Sequence, residues 1–269
     1  SKAAVLEAHL ENLPAYFAIR ASVLDANTEW ASNKEQVAAL YERLRPYGGE
    51  ASIKVTAEVG AALEKTVKDA ALPGAEFEIK DGVAVLRRAG PLAGSADWTH
   101  QYADSANSVV SKDTLVQAPL GLLWFGGSSN KDILPRHGHG PSEQVVGGRL
   151  FIEGPDMIRA VDVYTGYVLW QVSLPEIGKA YDSTSHQPGA NALGSNYVSV
   201  ADGIYVAYGE KCLRLDPATG KAMSEFTLPP ADGIEKPEVG YIGVYDDVLV
   251  AGAGPMRYDE EIKGKTWNA

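Results

Sequence analysis

The sequence has one cysteine, Cys212, among its 269 residues, and this excludes an internal disulfide. Disulfide usage therefore says nothing about the cellular compartment. No segment approaches the roughly 20 consecutive apolar residues of a membrane-spanning helix. Basic residues are few. The sequence contains 24 Lys and Arg against 35 Asp and Glu, which gives a formal net charge of −11. This balance argues against nucleic-acid or anionic-membrane partners, which would be repelled.

The chain begins at Ser1, without Met and without a basic and then apolar leader. Either a leader has been removed or the chain is part of a longer product, and the repeats described below favour the second interpretation. The composition is that of a folded protein, with 45% hydrophobic residues, 13 Tyr and 5 Trp. The length suits two domains of ordinary size.

Residues 1–90 alternate between helix-like and strand-like patterns. Apolar residues recur at helical spacing over 36–45 and 58–72, and each of these segments stops at Pro and Gly. Strands are predicted at 51–55, 75–80 and 83–88, the last two around an Asp81-Gly82 hairpin turn, and a further buried strand is predicted at 16–24. Strands interleaved with helices predict an α/β domain with a largely parallel sheet.

After residue 90 the helical period ends, and short apolar runs are separated by Gly, Pro, Asn and Asp. Many short strands with frequent turns indicate an all-β architecture. We therefore expect a first domain at 1–90 and a second at 91–269. The runs that predict strands are Leu120–Phe125, Arg149–Glu153, Val168–Val172, Tyr197–Val200, Ile204–Tyr208 and Val248–Ala251.

The all-β part contains a repeat. Residues 148–175 align without a gap with residues 202–229, 54 positions later, and a third copy begins at Asp247. Repeats of this length predict propeller blades or solenoid units, which bury their faces against their neighbours.

Each full repeat contains a turn with the pattern D-x-x-T-G. Its residues are Asp162, Thr165 and Gly166 in the first repeat, and Asp216, Thr219 and Gly220 in the second. We expect the aspartate to accept backbone N–H bonds within the turn and the glycine to adopt a positive φ. Trp170 follows the first turn and is expected to fill the wedge between adjacent sheets, whereas the second repeat has Ser224 at that position.

The segment 160–170, AVDVYTGYVLW, resembles the A-x-D-x-x-T-G-x-x-x-W signature of the pyrroloquinoline-quinone (PQQ) dehydrogenase repeat family. Asp97-Trp98-Thr99-His100, followed by Ala106-Asn107, resembles the segment that opens such propellers. The resemblance implies a quinoprotein-like β-propeller over roughly residues 95–269, with about two blades and a truncated third. It also implies a periplasmic or secreted location.

A propeller closes with about four to eight blades. The remaining blades are therefore expected from the same longer chain or from another chain, and we interpret this chain as a fragment.

The segment 44–49, LRPYGG, resembles the L-x-P-G-G segment of class I S-adenosylmethionine-dependent methyltransferases. The resemblance implies that residues 1–90 are the C-terminal part of a Rossmann-like methyltransferase domain. Planctomycete-type bacterial proteins join such a domain to a PQQ-like propeller. The glycine-rich nucleotide loop G-x-G-x-x-G is absent from the sequence, so methyl transfer would require a complete front domain.

Two polar segments are candidates for binding. Arg136, His137 and His139 lie in a Gly/Pro-rich loop and could hold an anionic cofactor, or they form a turn with hydrogen-bonded imidazoles. No Cys or third His accompanies them at metal-ligand spacing, so no metal site is predicted. The long connection between the repeats carries binding groups or is a solvated loop, and its polar residues are Asp182, Ser185, His186, Asn191 and Asn196.

In the PQQ dehydrogenases the family pattern includes a vicinal disulfide, a stacking tryptophan and a Glu/Asn/Asp set for Ca²⁺. Cys212 alone cannot form that disulfide, and no calcium set can be matched in the sequence. We therefore expect a binding or scaffold module with a small-molecule or protein ligand, and the sequence identifies no catalytic residue. The alternatives are a PQQ-dependent oxidoreductase acting on a carbohydrate or alcohol, and a methyltransferase.

Overall fold

The computed structural model describes residues 13–126, 129–134, 140–179, 181, 190, 194–231 and 233–254. The chain divides into two compact units. Unit 1 comprises Ser1–Ser95 and Pro119–Leu123, and unit 2 comprises Ala96–Ala118 and Trp124–Ala269. None of the helices in the described part of the chain has the length and apolarity to cross a membrane.

In its described residues, from 13 onward, unit 1 combines three helices with one four-stranded sheet of order β1-β2-β4-β3. Its elements are β1 Arg20–Val23, α1 Thr28–Ala31, α2 Lys34–Arg43, β2 Gly49–Lys54, α3 Ala57–Ala70, β3 Ala75–Lys80 and β4 Val83–Arg88. Asn33 and Thr56 cap α2 and α3 by accepting hydrogen bonds from backbone N–H groups of the first turn. The helices bury one face each, which includes Leu40 of α2 and Leu63 of α3, against the sheet residues Ile53 and Leu86.

Two expectations for unit 1 are wrong. Strands β1, β2 and β3 run in one direction, but the reversed strand β4 lies between β2 and β3, so β1–β2 is the one parallel pair in the described sheet. The hairpin at Asp81-Gly82 reverses the direction of β4 relative to β3, and the other edge of β4 pairs with β2. The predicted buried strand at 16–24 is limited to β1, which is partly exposed because it lies at the edge of the sheet.

Unit 2 is built from antiparallel sheets whose strands follow one another in chain order. The first sheet contains β5 Gln144–Val146, β6 Arg149–Gly154, β7 Met157–Asp162 and β8 Val168–Ser173. The second contains β9 Tyr197–Val200, β10 Gly203–Tyr208, β11 Lys211–Leu215 and β12 Ala222–Thr227. A third pairs β13 Val239–Tyr245 with β14 Val248–Ala253. Strands β10, β11 and β12 begin 54 residues after β6, β7 and β8, as the sequence repeat predicts.

The second sheet has a hydrophobic core on each face. Because successive side chains of a strand point to opposite faces, Ile204 and Val206 of β10 join the core with the first sheet. Tyr205 and Ala207 join the core with the third sheet. Cys212 of β11 lies in this second core, where burial raises the pKa of its thiol to about 11. The described sheets therefore stack face to face.

The strand predicted at Leu120–Phe125 is wrong. The described residues between β4 and β5 contain no strand, and Leu122 and Phe125 are 78% and 94% exposed. A strand needs a hydrogen-bonding neighbour, and the described part of the chain provides none for this run, despite its apolar composition.

Candidate functional site

The D-x-x-T-G turns have the same geometry in both repeats. Oδ1 of Asp162 accepts hydrogen bonds from the backbone N–H groups of Tyr164 (2.9 Å) and Thr165 (3.2 Å). Oδ1 of Asp216 accepts the equivalent bonds from Ala218 (2.7 Å) and Thr219 (2.9 Å). These backbone donors, Ala218 first, lower the pKa of Asp216. Each aspartate therefore holds the turn that leads into the last strand of its sheet.

Trp170 of the first sheet packs against the D-x-x-T-G turn of the second sheet. Its Nε1 donates to the backbone oxygen of Pro217 at 3.0 Å. Gly220 lies under the ring, and a Cβ at this position would come within 2.6 Å of Trp170 Cε3. Gly220 also has a φ of +72°. Both the positive φ and the close approach of the ring require glycine here.

Trp124 makes the same contact with the first sheet. Its Nε1 donates to the backbone oxygen of Val163 at 2.8 Å, and a Cβ on Gly166, whose φ is +73°, would come within 2.6 Å of the ring. Val163 lies 54 residues before Pro217, so the acceptors are equivalent positions of the repeat. The sequence does not reveal this match because no D-x-x-T-G turn precedes Trp124.

Ser224 occupies the position of the missing third tryptophan. Its Oγ is buried without a hydrogen-bond partner. The described residues contain no third turn for a side chain at this position to contact, so the contact of a tryptophan with a D-x-x-T-G turn is seen twice, at Trp124 and at Trp170.

Three consecutive residues, Trp98, Thr99 and His100, each bind the first strand of a different sheet. We call them the inner segment. Trp98 exchanges two backbone hydrogen bonds of 2.8 Å with Val145 of β5. The backbone oxygen of Thr99 accepts from Ser199 of β9 at 3.0 Å. Nε2 of His100 accepts from the backbone N–H of Val244 in β13 at 3.2 Å. The inner segment thus connects all three described sheets of unit 2.

The hydrogen bonds of His100 fix its tautomer. Since Nε2 accepts from Val244, the neutral ring carries its proton on Nδ1, which donates to Thr99 Oγ1 at 2.8 Å. Burial lowers the pKa of His100, although the nearby Asp104 acts in the opposite direction. The imidazole therefore acts as a structural hydrogen-bond acceptor, and protonation of Nε2 would abolish the bond from Val244.

A buried carboxyl–amide pair lies between the first sheet and the connection to the second. Nδ2 of Asn196 donates to Oε1 of Glu153 at 3.1 Å and to the backbone oxygen of Ile177 at 3.3 Å. Glu153 Oε2 and Asn196 Oδ1 are buried without hydrogen-bond partners. Burial raises the pKa of Glu153 well above its usual range. A protonated Glu153 would carry a donor on its carboxyl group, whereas the ionised carboxylate can only accept hydrogen bonds.

The sequence-predicted site residues are brought together only in part. Arg136, His137 and His139 lie outside the described residues, as do Asp182, Ser185, His186 and Asn191. Asn196 is described, and its partner Glu153 was not singled out from the sequence. The available signal was a glutamate inside the apolar run of β6, where a charged side chain on a buried face requires a partner.

The described residues do not fit a calcium–quinone site. Ca²⁺ takes roughly six to eight oxygen ligands, usually with several carboxylates. Within the described ranges no three His, Cys, Asp or Glu side chains come together as a metal-binding group. The pair of Glu153 and Asn196 offers two unpartnered oxygens. Cys212 is a single buried thiol and cannot provide a vicinal disulfide.

No protein-family model matches the chain, and no curated protein matches it. Among solved structures, a europium-containing methanol dehydrogenase is similar, with 18% identity over 59% of this chain and 27% of that chain and a TM-score of 0.40. The quinohemoprotein alcohol dehydrogenase from Comamonas testosteroni has 20% identity over 60% and 24% of the two chains, with a TM-score of 0.41. BamB from Moraxella catarrhalis has 15% identity over 42% and 35%, with a TM-score of 0.28. The chain thus spans between a quarter and about a third of these proteins.

Proposed function

We propose that unit 2 is part of a quinoprotein-like β-propeller that serves as a binding or scaffold module in a larger bacterial protein. The observation that carries the proposal is the repeated tryptophan contact. Trp124 contacts the turn of the first sheet, and Trp170 contacts the turn of the second. In both contacts the indole N–H donates to an equivalent backbone oxygen and the ring packs on an equivalent glycine. Propellers are made of four-stranded antiparallel sheets repeated around an axis, and equivalent contacts at the turns of successive sheets suit that arrangement.

The inner segment favours binding or scaffolding over catalysis. In a propeller the first strand of each blade lines the central channel. Trp98, Thr99 and His100 use the hydrogen-bonding groups of β5, β9 and β13, so the chain itself covers part of that wall. Burial raises the pKa of Glu153, the buried carboxyl near the connection, well above its usual range.

We infer that the remaining blades, from the same longer chain or from another chain, add strands beside β14. In the described residues β14 pairs with β13 alone, and Val248 and Val250 are about half exposed. An unpaired apolar edge is a template for a further strand. Amide hydrogen exchange on this chain and on the protein isolated from its source tests the inference. Slower exchange of β14 in the native protein is expected, and equal exchange in both would contradict it.

Titration with PQQ and Ca²⁺ separates the scaffold from a PQQ-dependent oxidoreductase acting on a carbohydrate or alcohol. For a scaffold we expect no change in quinone absorbance up to high micromolar PQQ, and no dye reduction with glucose or ethanol. Titration with Ca²⁺ alone is the control for an effect of the cation. Saturable PQQ binding with substrate-dependent dye reduction would establish the oxidoreductase instead.

A second candidate function belongs to unit 1. The alternation β1, helices, β2, α3 and a closing hairpin is the arrangement that the methyltransferase resemblance implies for residues 1–90. We propose that this unit completes an S-adenosylmethionine-binding domain when further strands precede it. Calorimetric titration of the native protein with S-adenosylmethionine tests this proposal, and absence of binding heat would remove it.

We further propose a periplasmic or secreted location. Fractionation of the source organism, with the protein detected by antibody, tests it, and recovery in the cytoplasmic fraction would exclude it.

A further inference from the structure

Residues 122–126 stand at the position of an outer strand without belonging to a described sheet. In the first sheet β8 is the last strand, and its Trp170 contacts the D-x-x-T-G turn of the next sheet. Trp124 makes the same contact with the turn of the first sheet, through an equivalent backbone acceptor and an equivalent glycine. Matching Trp124 to Trp170 aligns residues 122–126 with residues 168–172 of β8. The run therefore has the place of the last strand of a sheet that precedes the first.

The backbone of this run has no hydrogen-bonding neighbour among the described residues. There the N–H and C=O groups of residues 122–126 form no hydrogen bond with other backbone groups, whereas β8 is paired with β7. The described residues between β4 and this run contain no strand that could serve as its neighbour. A chain edge with unpaired backbone groups is a template for a further strand.

The side chains of the run combine one fixed ring with exposed apolar groups. The bond from Trp124 Nε1 to Val163 and the contact with Gly166 hold the indole in place. Leu122 and Phe125, on either side of it, are 78% and 94% exposed. Adjacent apolar side chains that are exposed to this degree mark a surface that another element covers.

The first sheet shows what the covering element must be. Strand β8 pairs antiparallel with β7, and all six residues of β7 are buried. Ala160 of β7 lies opposite Trp170 and is fully buried, so the ring has a small side chain beside it. Cross-strand neighbours of this kind determine how strands fit together. The neighbour of residues 122–126 is therefore expected to be an antiparallel strand that is buried on both faces and has a small residue opposite Trp124.

The chain order of the sheets indicates the source of this strand. The described sheets of unit 2 follow one another along the chain, and a third copy of the sequence repeat begins at Asp247. In a ring of blades, the place before the first sheet is also the place after the last. Repeats that continue the third copy around the ring would reach residues 122–126 last.

We propose that residues 122–126 are the outer strand of the blade that closes the propeller, and that later repeats of the same polypeptide supply the inner strands of that blade. The inference rests on the proposed propeller and adds the place at which its ring closes. It also gives the exposed apolar run a partner, because the third strand of the closing blade would pair with it as β7 pairs with β8.

Photo-crosslinking in the protein as its source organism makes it tests the proposal. Phe125→p-benzoylphenylalanine places a photoreactive ring of similar shape at an exposed position. We expect mass spectrometry to find it crosslinked to a peptide that follows residue 269 of the same polypeptide. Gln171→p-benzoylphenylalanine is the matched control, because Gln171 is the aligned residue of β8 and pairs with Arg159. The control should crosslink to β7, since paired side chains of neighbouring strands lie close together.

A crosslink from position 125 to another polypeptide or to unit 1 would overturn the proposal. Absence of a crosslink there, with the control crosslink present, would overturn it too.

Amide hydrogen exchange gives a second measurement that separates this inference from the propeller proposal. The amides of residues 122–125 should exchange about tenfold or more slowly in the source protein than in the 269-residue chain, because pairing protects them. The amide of Val116, which is exposed and lies outside the run, should exchange equally in both. Slower exchange of β14 with unchanged exchange at 122–125 would overturn closure at this run and leave the propeller proposal standing. Unchanged exchange at both places would overturn both.

Discussion

The backbone N–H of Val244 donates to Nε2 of His100, so a single imidazole links the third sheet of unit 2 to a segment 144 residues earlier in the chain. The bond requires an unprotonated Nε2. On the other side of the ring, Nδ1 donates to Thr99 Oγ1. The link between the first described residues of unit 2 and its last sheet therefore depends on the charge of one side chain.

The charge of His100 predicts a loss of stability in acid. Burial lowers the pKa of His100 in the folded chain below the unfolded value of about 6.5. The unfolded chain therefore takes up the proton first, and the contribution of His100 is complete above about pH 6.5 and falls as the pH drops towards the folded pKa. His100→Gln keeps an acceptor that does not titrate. Urea unfolding at about pH 7.5 and about pH 5 should show a smaller loss for the variant.

A matched pair of substitutions checks the contact itself. His100→Ala leaves the buried Val244 N–H without a partner and is expected to cost about 1–3 kcal/mol of unfolding free energy at neutral pH. His100→Gln should cost less than His100→Ala. Equal pH dependence in the wild type and His100→Gln would show that this imidazole does not control the acid response.

The pair of Glu153 and Asn196 predicts the opposite pH dependence. Burial raises the pKa of Glu153, so its contribution to stability is complete below the unfolded pKa of about 4.5 and is lost as the pH rises towards the folded pKa. Glu153→Gln reproduces the hydrogen-bonding pattern of the protonated acid without titrating. It should match or exceed the wild-type unfolding free energy at about pH 8.

Urea unfolding between about pH 5 and about pH 9 measures this effect. The control is Glu235→Gln, which makes the same chemical change at an exposed position. A Glu153→Gln variant that is much less stable than the wild type at alkaline pH would mean that the carboxylate is charged and held by a cation or another partner.

The tryptophan contacts predict a graded loss of stability. Trp170→Ala removes a buried ring from the core between the first two sheets and should cost about 3–5 kcal/mol. Trp170→Phe keeps most of the packing but loses the bond to Pro217, worth about 1 kcal/mol. Chemical unfolding of both variants measures the difference. A loss from Trp170→Phe as large as that from Trp170→Ala would assign the stabilisation to the hydrogen bond.

The glycine under Trp170 predicts that a Gly→Ala substitution there is unusually destabilising. Gly220→Ala introduces a Cβ both at a positive φ and against the Trp170 ring, and should cost about 3 kcal/mol or more. Gly209→Ala is the control, because Gly209 also has a positive φ but no atom within 4 Å of the added Cβ. It should cost about 1–2 kcal/mol. Equal losses in urea unfolding would contradict a steric role for Trp170.

The 54-residue repeat predicted the strand pattern of unit 2 well because its turns are local. Asp162 and Gly166 act on residues within the same turn, and so do Asp216 and Gly220. Local turn chemistry of this kind sets the register of the strands on either side. Strands β6 to β8 and β10 to β12 consequently follow the sequence alignment.

The contacts missed from the sequence are those made over long distances. Glu153 and Asn196 lie 43 residues apart, and His100 and Val244 lie 144 apart, so neither pair leaves a local pattern. The apolar run Leu120–Phe125 has the composition of a strand, but pairing depends on a neighbour that its own residues do not supply. In unit 1 the position of β4 between β2 and β3 likewise follows from tertiary packing.

The reactivity of the Cys212 thiol can report how often the core between the second and third sheets opens. Its thiol is 1% exposed, and burial raises its pKa to about 11, so a disulfide reagent can react only after these sheets separate. As the single cysteine of the chain, it reports on that opening with no engineered label. The reaction rate under native conditions therefore measures how often the two sheets come apart, separately from the first sheet and from unit 1.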